Sequence, residues 1–332
     1  MRRIAFLLAF LLIACVPSGP AVIPLPTDEL RAAPLALATA KPTATILPTA
    51  TSEPTPVRPQ YVTAVLLGMD RDREGIGLRT DTFVIVTLRI MPGADQEIQE
   101  AVVLSIPRDT LVDVWSTSGL KKDRINVVYL RGGFDSVRQT IQQNFGIFVN
   151  AGIYAVDFNN FIQITDMMGG LTVTPRESYF DWCGDYKGLL KSGKGGYDRN
   201  WKAGQEYPMT GAELLCYIRA RAQSDDVART RRTQDVLLAM QKEWLPTIIS
   251  SPTIWPDLFG LVKTDLSLSD IMDFLPLIDV FNAGGFPVRT KSMEIGRHLE
   301  YGRTATGASV LVPLVDLKAW ASCEISAGTN CP

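Results

Sequence analysis

Apolar positions fall into blocks along the chain, and their spacing decides what each block predicts. VTAVLLG (62–68), TFVIVTLRI (82–90) and EAVVLSIP (100–107) are nearly continuous apolar runs closed by Gly68, Pro92-Gly93 and Pro107. Runs of this length without polar alternation predict strands buried on both faces, the pattern of a sheet covered by helices. LVDVW (111–115), AGIYAVD (151–157), LTVTP (171–175), FPVRTKSMEI (286–295) and ASVLVP (308–313) add further strands. The period then changes. INVVYLRGG (125–133), DSVRQTIQQNFG (135–146) and FNNFIQITDMMGG (158–170) repeat apolar residues at helical spacing. Gly146 is a C-cap, Asp157 an N-cap, and Gly169-Gly170 a stop. GAELLCYI (211–218), VLLAMQKEWL (236–245), SPTIWPDLFGLVKTDL (251–266) and SLSDIMDFLPLIDVFN (267–282) are helical too, while 176–210 shows no period and reads as irregular. The expected fold is α/β with three layers, α-β-α: a central mixed sheet flanked by helices.

The first 60 residues break this pattern. Arg2 and Arg3 precede an apolar run, Ile4–Ala14, that has signal-peptide proportions and is short for a membrane span. Cys15 follows directly, so 1–15 resembles a bacterial lipobox, with the cysteine lipidated after cleavage. Residues 16–60 are rich in Pro, Thr and Ala, a composition that cannot bury a core, and form a tether. The folded unit is expected over 61–320, with a tail over 321–332. An exported chain with Cys183, Cys216, Cys323 and Cys331 left over suggests disulfides, Cys323–Cys331 and Cys183–Cys216 being the favoured pairing. The anchor places the protein on the outer face of a bacterial cell membrane.

Charge narrows the chemistry. Lys+Arg number 33 against Asp+Glu 35 in 332 residues, a net charge of −2, which gives no global field for nucleic acid. Arginine is nonetheless concentrated in YIRARAQSDDVARTRR (217–232), between two helical runs. The stretch reads either as a solvated helix–loop–helix junction or as a site for a multiply charged anion, because the guanidinium fork matches phosphate. Three loops at strand ends carry more charge: Asp70, Asp72, Arg79 and Asp81; Arg108-Asp109; and Lys121-Lys122-Asp123-Arg124. Asp70 and Asp81 are either turn residues or carboxylates for one Mg²⁺. Acid residues suited to Mg²⁺ together with arginines from separate segments suit phosphoryl chemistry. No Walker loop is present, and the sole histidine, His298, gives no catalytic triad.

Six motifs then follow one order: LLGMD (66–70), RTDT (79–82), SIPRD (105–109), RIN (124–126), YIRAR (217–221) and DVAR (226–229) with Arg232. In that order they resemble the LytR–CpsA–Psr proteins, over roughly 61–313. The resemblance implies a Mg²⁺-dependent cell-envelope phosphotransferase, which moves a glycopolymer from a polyprenyl-pyrophosphate carrier to a cell-wall acceptor. It implies Asp70 and Asp81 at the metal, and Arg79, Arg108, Arg124, Arg219, Arg221 and Arg229 at the pyrophosphate. Arg232, one turn beyond Arg229, and Gln234 join them. Asp109 or Asp226 would orient groups or deprotonate the acceptor, and an apolar tunnel would take the prenyl tail. The chain departs from the family pattern in Asp72 for an arginine, Thr233 for a glutamine, the 176–210 insert with Cys183, and a lipid anchor in place of a transmembrane helix, and Arg124 stands where lysine is common. A carrier-binding lipoprotein without turnover and a pyrophosphate hydrolase are the competing readings.

Overall fold

The structure, a computed structural model, describes residues 59–70, 79–91, 97–183, 197–220, 226–267, 286–304, 306–326 and 330–332. The signal segment with Cys15, the tether, Asp72 and the run 268–285 lie outside the described residues, as do the side chains of Cys183, Arg221 and Asp226.

A six-stranded mixed sheet forms the centre, in the order β11-β6-β1-β2-β3-β12. Strands β1 (Gln60–Met69), β2 (Thr80–Met91) and β3 (Glu97–Ile106) pair antiparallel. β6 (Ile153–Asp157) joins β1 in parallel, and β12 (Val288–Ser292) joins β3 in parallel. β11 (Lys263–Thr264) closes the β6 edge. The continuous apolar runs are explained by burial on both faces. Val62, Ala64, Val84, Val86, Ala101 and Val103 enter one core, and Val65, Leu67, Phe83, Ile85, Val102 and Leu104 enter the other. Helix α1 (Val128–Phe145), interrupted at Gly132 and Gly133, and α6 (Leu317–Ile325) cover the second face. Helices α2 (Phe158–Met167), α3 (Gly211–Arg219), α4 (Asp226–Ser250) and α5 (Trp255–Leu261) contribute to the first. This is the expected three-layer arrangement.

Several local expectations are corrected. Lys121–Arg124 is not a loop. It lies in β5 (Gly119–Arg124), which forms a hairpin with β4 (Leu111–Ser116). The free edge of β4 is covered by the α1 side chains Thr140 and Asn144, which accept from Trp115 N and Asp113 N at 3.0 and 2.9 Å. The 176–210 stretch contains β8 (Tyr179–Cys183), β9 (Tyr197–Trp201) and β10 (Tyr207–Met209), the last paired with β7 (Leu171–Val173). Arg229, Arg231 and Arg232 sit in the first turns of α4 rather than in a connecting loop. The run 251–266 is only partly helical, since it ends in β11. The sequence pattern also passed over β13 (Leu299–Arg303), which pairs with β14 (Ser309–Pro313), and α6, which Asp316 caps through Ala319 N. Cys323 and Cys331 are bonded, with Cα atoms 5.5 Å apart. Cys216 is also in a disulfide.

Candidate active site

The β1–β2 register brings the two candidate metal carboxylates to one end of the sheet. Met69 opposes Thr80 across a bulge at Gly68/Met69, and Asp70 N donates to Arg79 O at 2.8 Å. Asp70 follows β1 directly and Asp81 is the second residue of β2. The bulge re-aims the strand end, a use such irregularities commonly have beside active sites.

The next segment, Pro107-Arg108-Asp109, is held by backbone and side-chain bonds. Thr110 Oγ1 donates to Pro107 O at 2.7 Å, Asn126 N to Arg108 O at 3.1 Å, and Leu311 N to Asp109 O at 2.9 Å. Thr80 Oγ1 donates to Asn126 O at 3.1 Å, which ties this loop to the start of β2. Fixed in this way, Arg108 donates to Asp81 Oδ1 at 2.9 Å. From the opposite side, α4 supplies Arg229, whose Nη2 lies 3.1 Å from Asp81 Oδ2. The Asp81 and Arg229 side chains are only 4% and 6% exposed. Burial pushes the Asp81 carboxyl up, but the Arg229 and Arg108 guanidiniums outweigh it and hold the group below the ordinary carboxylate range. Asp81 is therefore an ionised carboxylate clamped between two arginines.

Arg219 ends α3, whose start is fixed by a capping box between Thr210 and Glu213. Its guanidinium lies 4.1 Å over the Phe158 ring, and its Nη2 is 3.7 Å from Asp70 Oδ2. Asp109 stands between Arg108 Nε and Arg124 Nη1, 3.5 Å from each.

Asp81, Thr82, Ser105, Arg108, Arg229 and Thr233 line one small recess. Thr82, Arg229 and Thr233 also line a second cavity of ≈160 Å³. Its walls are otherwise almost wholly apolar: Leu66, Tyr154 and Val156 from the sheet, Phe161 and Ile164 from α2, Leu215 and Ile218 from α3, and Val236, Leu237, Met240 and Trp244 from α4. Arg219 also lines it. A cluster of arginines and carboxylates thus opens into an apolar chamber between sheet and helices, an arrangement that fits a ligand with a doubly charged head and a hydrocarbon tail.

The remaining predicted residues separate. Arg232 turns away from Asp81: it stacks 4.1 Å over Tyr179, donates to Ala220 O, and lines another recess with Arg176, Arg231 and Asp235. Gln234 Nε2 donates to Ser105 Oγ and Lys291 O, both at 3.1 Å, so it sits behind the recess rather than in its wall. Arg79 contributes its backbone carbonyl to Asp70 and has an exposed side chain. Among the described residues, no group of three or more His, Cys, Asp or Glu is arranged to hold a metal ion. Thr82 and Ser105, in the RTDT and SIPRD motifs, line the recess although the sequence gave them no role, and Thr230 and Phe158 were not singled out. Phe158 directly follows the cap of α2, the one cue it offered.

Known proteins resemble this chain in sequence and in fold. A family model described as the LytR_cpsA_psr family matches residues 38–284. The polyisoprenyl-teichoic acid–peptidoglycan teichoic acid transferase TagU of Oceanobacillus iheyensis is 30% identical over 256 residues, covering 74% of this chain and 69% of that protein. The regulatory protein MsrR of Staphylococcus aureus is 28% identical over 216 residues, covering 63% of this chain and 58% of that protein. The crystal structure of TagV from B. subtilis superposes with a TM-score of 0.60 at 22% identity, over 81% of this chain and 98% of that one. The gbs0355 protein of Streptococcus agalactiae gives the same TM-score at 17% identity, over 82% and 91%. These two structures support the fold.

Proposed function

The chain belongs to the LytR_cpsA_psr family, and we propose that it is a phosphotransferase that moves a glycopolymer from a polyprenyl-pyrophosphate carrier to a cell-wall acceptor. One observation carries the reading: the arginine-clamped recess at Asp81 and the apolar cavity share Thr82, Arg229 and Thr233, so one amphiphile can occupy both. A relative of this chain, TagU, is named as a polyisoprenyl-teichoic acid–peptidoglycan teichoic acid transferase.

In the proposed reaction an acceptor hydroxyl oxygen attacks the glycan-bearing phosphorus. The bond from that phosphorus to the bridging oxygen breaks, polyprenyl phosphate leaves with the electron pair, and a phosphodiester forms. The hydroxyl proton passes to a base, for which Asp109 and Asp226 are the candidates. Arg108, Arg219 and Arg229 meet the phosphoryl oxygens, with Arg79, Arg124 and Arg221 as further candidates. Catalysis of this kind is mostly positioning and charge stabilisation. Asp81 aligns Arg108 and Arg229 by accepting from both.

The donor chemistry is compatible with Mg²⁺. Asp70 and Asp81, at adjacent strand ends, are the carboxylates that would hold the ion, and magnesium usually takes one or two carboxylates with substrate phosphates and water. When bound it would offset charge on the pyrophosphate. On the same reading Cys15 is the lipid anchor and 16–60 the tether that holds the domain at the outer face of the membrane. No described helix is long and apolar enough to cross it.

The test is a reconstituted reaction with undecaprenyl-pyrophosphate-linked glycan, peptidoglycan and Mg²⁺. The expected products are acceptor-bound polymer and undecaprenyl phosphate. Equal cleavage without acceptor would make the protein a hydrolase, and binding without turnover would make it a carrier-binding lipoprotein.

A further inference from the structure

The apolar cavity has a direction. On α4 the residues facing it recur at 229, 233, 237, 240 and 244, one stripe of the helix. Arg229 begins the stripe at the charged recess and Trp244 ends it. At 1.5 Å per residue these fifteen steps span about 22 Å.

Among the described residues, Trp244 is the one shared between this cavity and a second, more polar groove of ≈520 Å³, which Met168, Gly169, Thr172, Met209 and Glu243 help to line. The indole is a wall between the two, and it is held in place. Trp244 is 3% exposed, and its Nε1 donates to Gly170 O at 2.8 Å. Gly170 adopts φ +93°, and a Cβ there would lie 2.9 Å from Met209 O, so the turn that presents this carbonyl needs glycine. The neighbouring Glu243 accepts from Thr172 N at 3.0 Å and fastens this part of α4 to β7. An apolar chain entering past Arg229 therefore runs along the α4 stripe and ends on a fixed indole.

Resting on the polyprenyl reading above, we infer that Trp244 is the floor of the tail site and sets how much of a prenyl chain contributes to binding. Isoprene units up to the indole gain apolar burial. Units beyond it gain none, since past the wall lies a groove edged by the Glu243 and Asp166 carboxylates. Removing the indole joins the two spaces and lets the chain continue. A bulky residue earlier on the stripe shortens the site.

The experiment titrates the purified protein with geranyl, farnesyl, geranylgeranyl and undecaprenyl pyrophosphate. In the wild type, affinity rises with chain length and then levels off. Trp244→Ala moves the plateau to longer chains and binds undecaprenyl pyrophosphate about tenfold more tightly than the wild type does. Leu237→Trp leaves the wall intact, so it serves even if Trp244→Ala fails to fold, and it moves the plateau to shorter chains. Affinity without any dependence on chain length in the wild type would overturn the polyprenyl reading and this inference with it. A plateau that neither variant moves would overturn the floor assignment alone.

Discussion

Helix α4 serves two buried carboxylates, and the contrast between them separates a site from a scaffold. Asp81 is 7% exposed and Asp235 6%, so burial does not distinguish them. Both accept from arginine. Asp81 is held by Arg108 and Arg229, whereas Asp235 accepts from Arg176 and from the Tyr217 hydroxyl at 3.1 Å. What differs is the next neighbour. The Asp81 recess opens into an apolar chamber. The recess at Asp235 is bounded by its own counter-ions and aromatic rings: Arg176, Glu177, Tyr179, Tyr217, Arg231 and Arg232. Charge beside an apolar chamber suits a ligand with both characters. Charge matched by charge joins the β7–β8 connection to α4.

Substitutions on the two sides should separate in kind. Arg219→Ala, on the chamber side, is expected to lower transfer by about a hundredfold or more, the scale of losing a charge donor to a reacting phosphoryl group. Its melting temperature should stay close to wild type, because the partner Asp70 is 34% exposed and readily hydrated. Kinetics and calorimetry on one preparation check both. Asp235→Ala should do the reverse. It strands the buried Tyr217 hydroxyl and removes one partner of the half-exposed Arg176, and should cost about 2 kcal/mol in denaturant unfolding while transfer per folded molecule is kept. Loss of transfer without loss of stability would move Asp235 into the site.

Acid titration sharpens the same contrast. The folded-state value of Asp81 is lowered from 3.8, so its contribution to stability is present above that value and is lost as pH falls through the folded value. The stability gap between wild type and Asp81→Asn should therefore be constant near neutrality and close in strong acid, as followed by denaturant unfolding across pH. A gap that widened in acid would contradict an ionised Asp81. The smallest effect is expected at Arg231. Its side chain is 44% exposed and pairs with a 59% exposed Glu177, so Arg231→Ala should change stability by no more than about 0.5 kcal/mol and leave transfer intact.

The central sheet was legible because burial on both faces writes itself as uninterrupted apolar runs, as in 82–90 and 100–107. Lys121–Arg124 was not. A hairpin strand that carries charges on both of its faces has no apolar period, and its pairing with β4 is invisible in composition. The 176–210 strands were hidden in the same way by a stretch rich in glycine and charge. At the site, Asp81, Arg108, Arg219 and Arg229 were recoverable from motifs in order, while Arg232 was misplaced by an argument from helical spacing. Residues three apart on a helix differ by about 60° around its axis, enough for one long side chain to reach Asp81 and the other to lie over Tyr179. Thr82 ends the RTDT motif with no role attached to it, and Trp244 lies in no motif. Their roles come from which two spaces they adjoin, which only tertiary structure reveals.

On the proposed function, the pyrophosphate head and the prenyl tail occupy one continuous site. Calorimetric titration with inorganic pyrophosphate and with geranylgeranyl pyrophosphate, in the same buffer with Mg²⁺, tests it directly. Burial of the tail should tighten binding by about a hundredfold or more over pyrophosphate alone, with a negative heat-capacity change. Equal affinities for the two ligands would contradict the account, since the chamber beyond Arg229 would then contribute nothing to recognition.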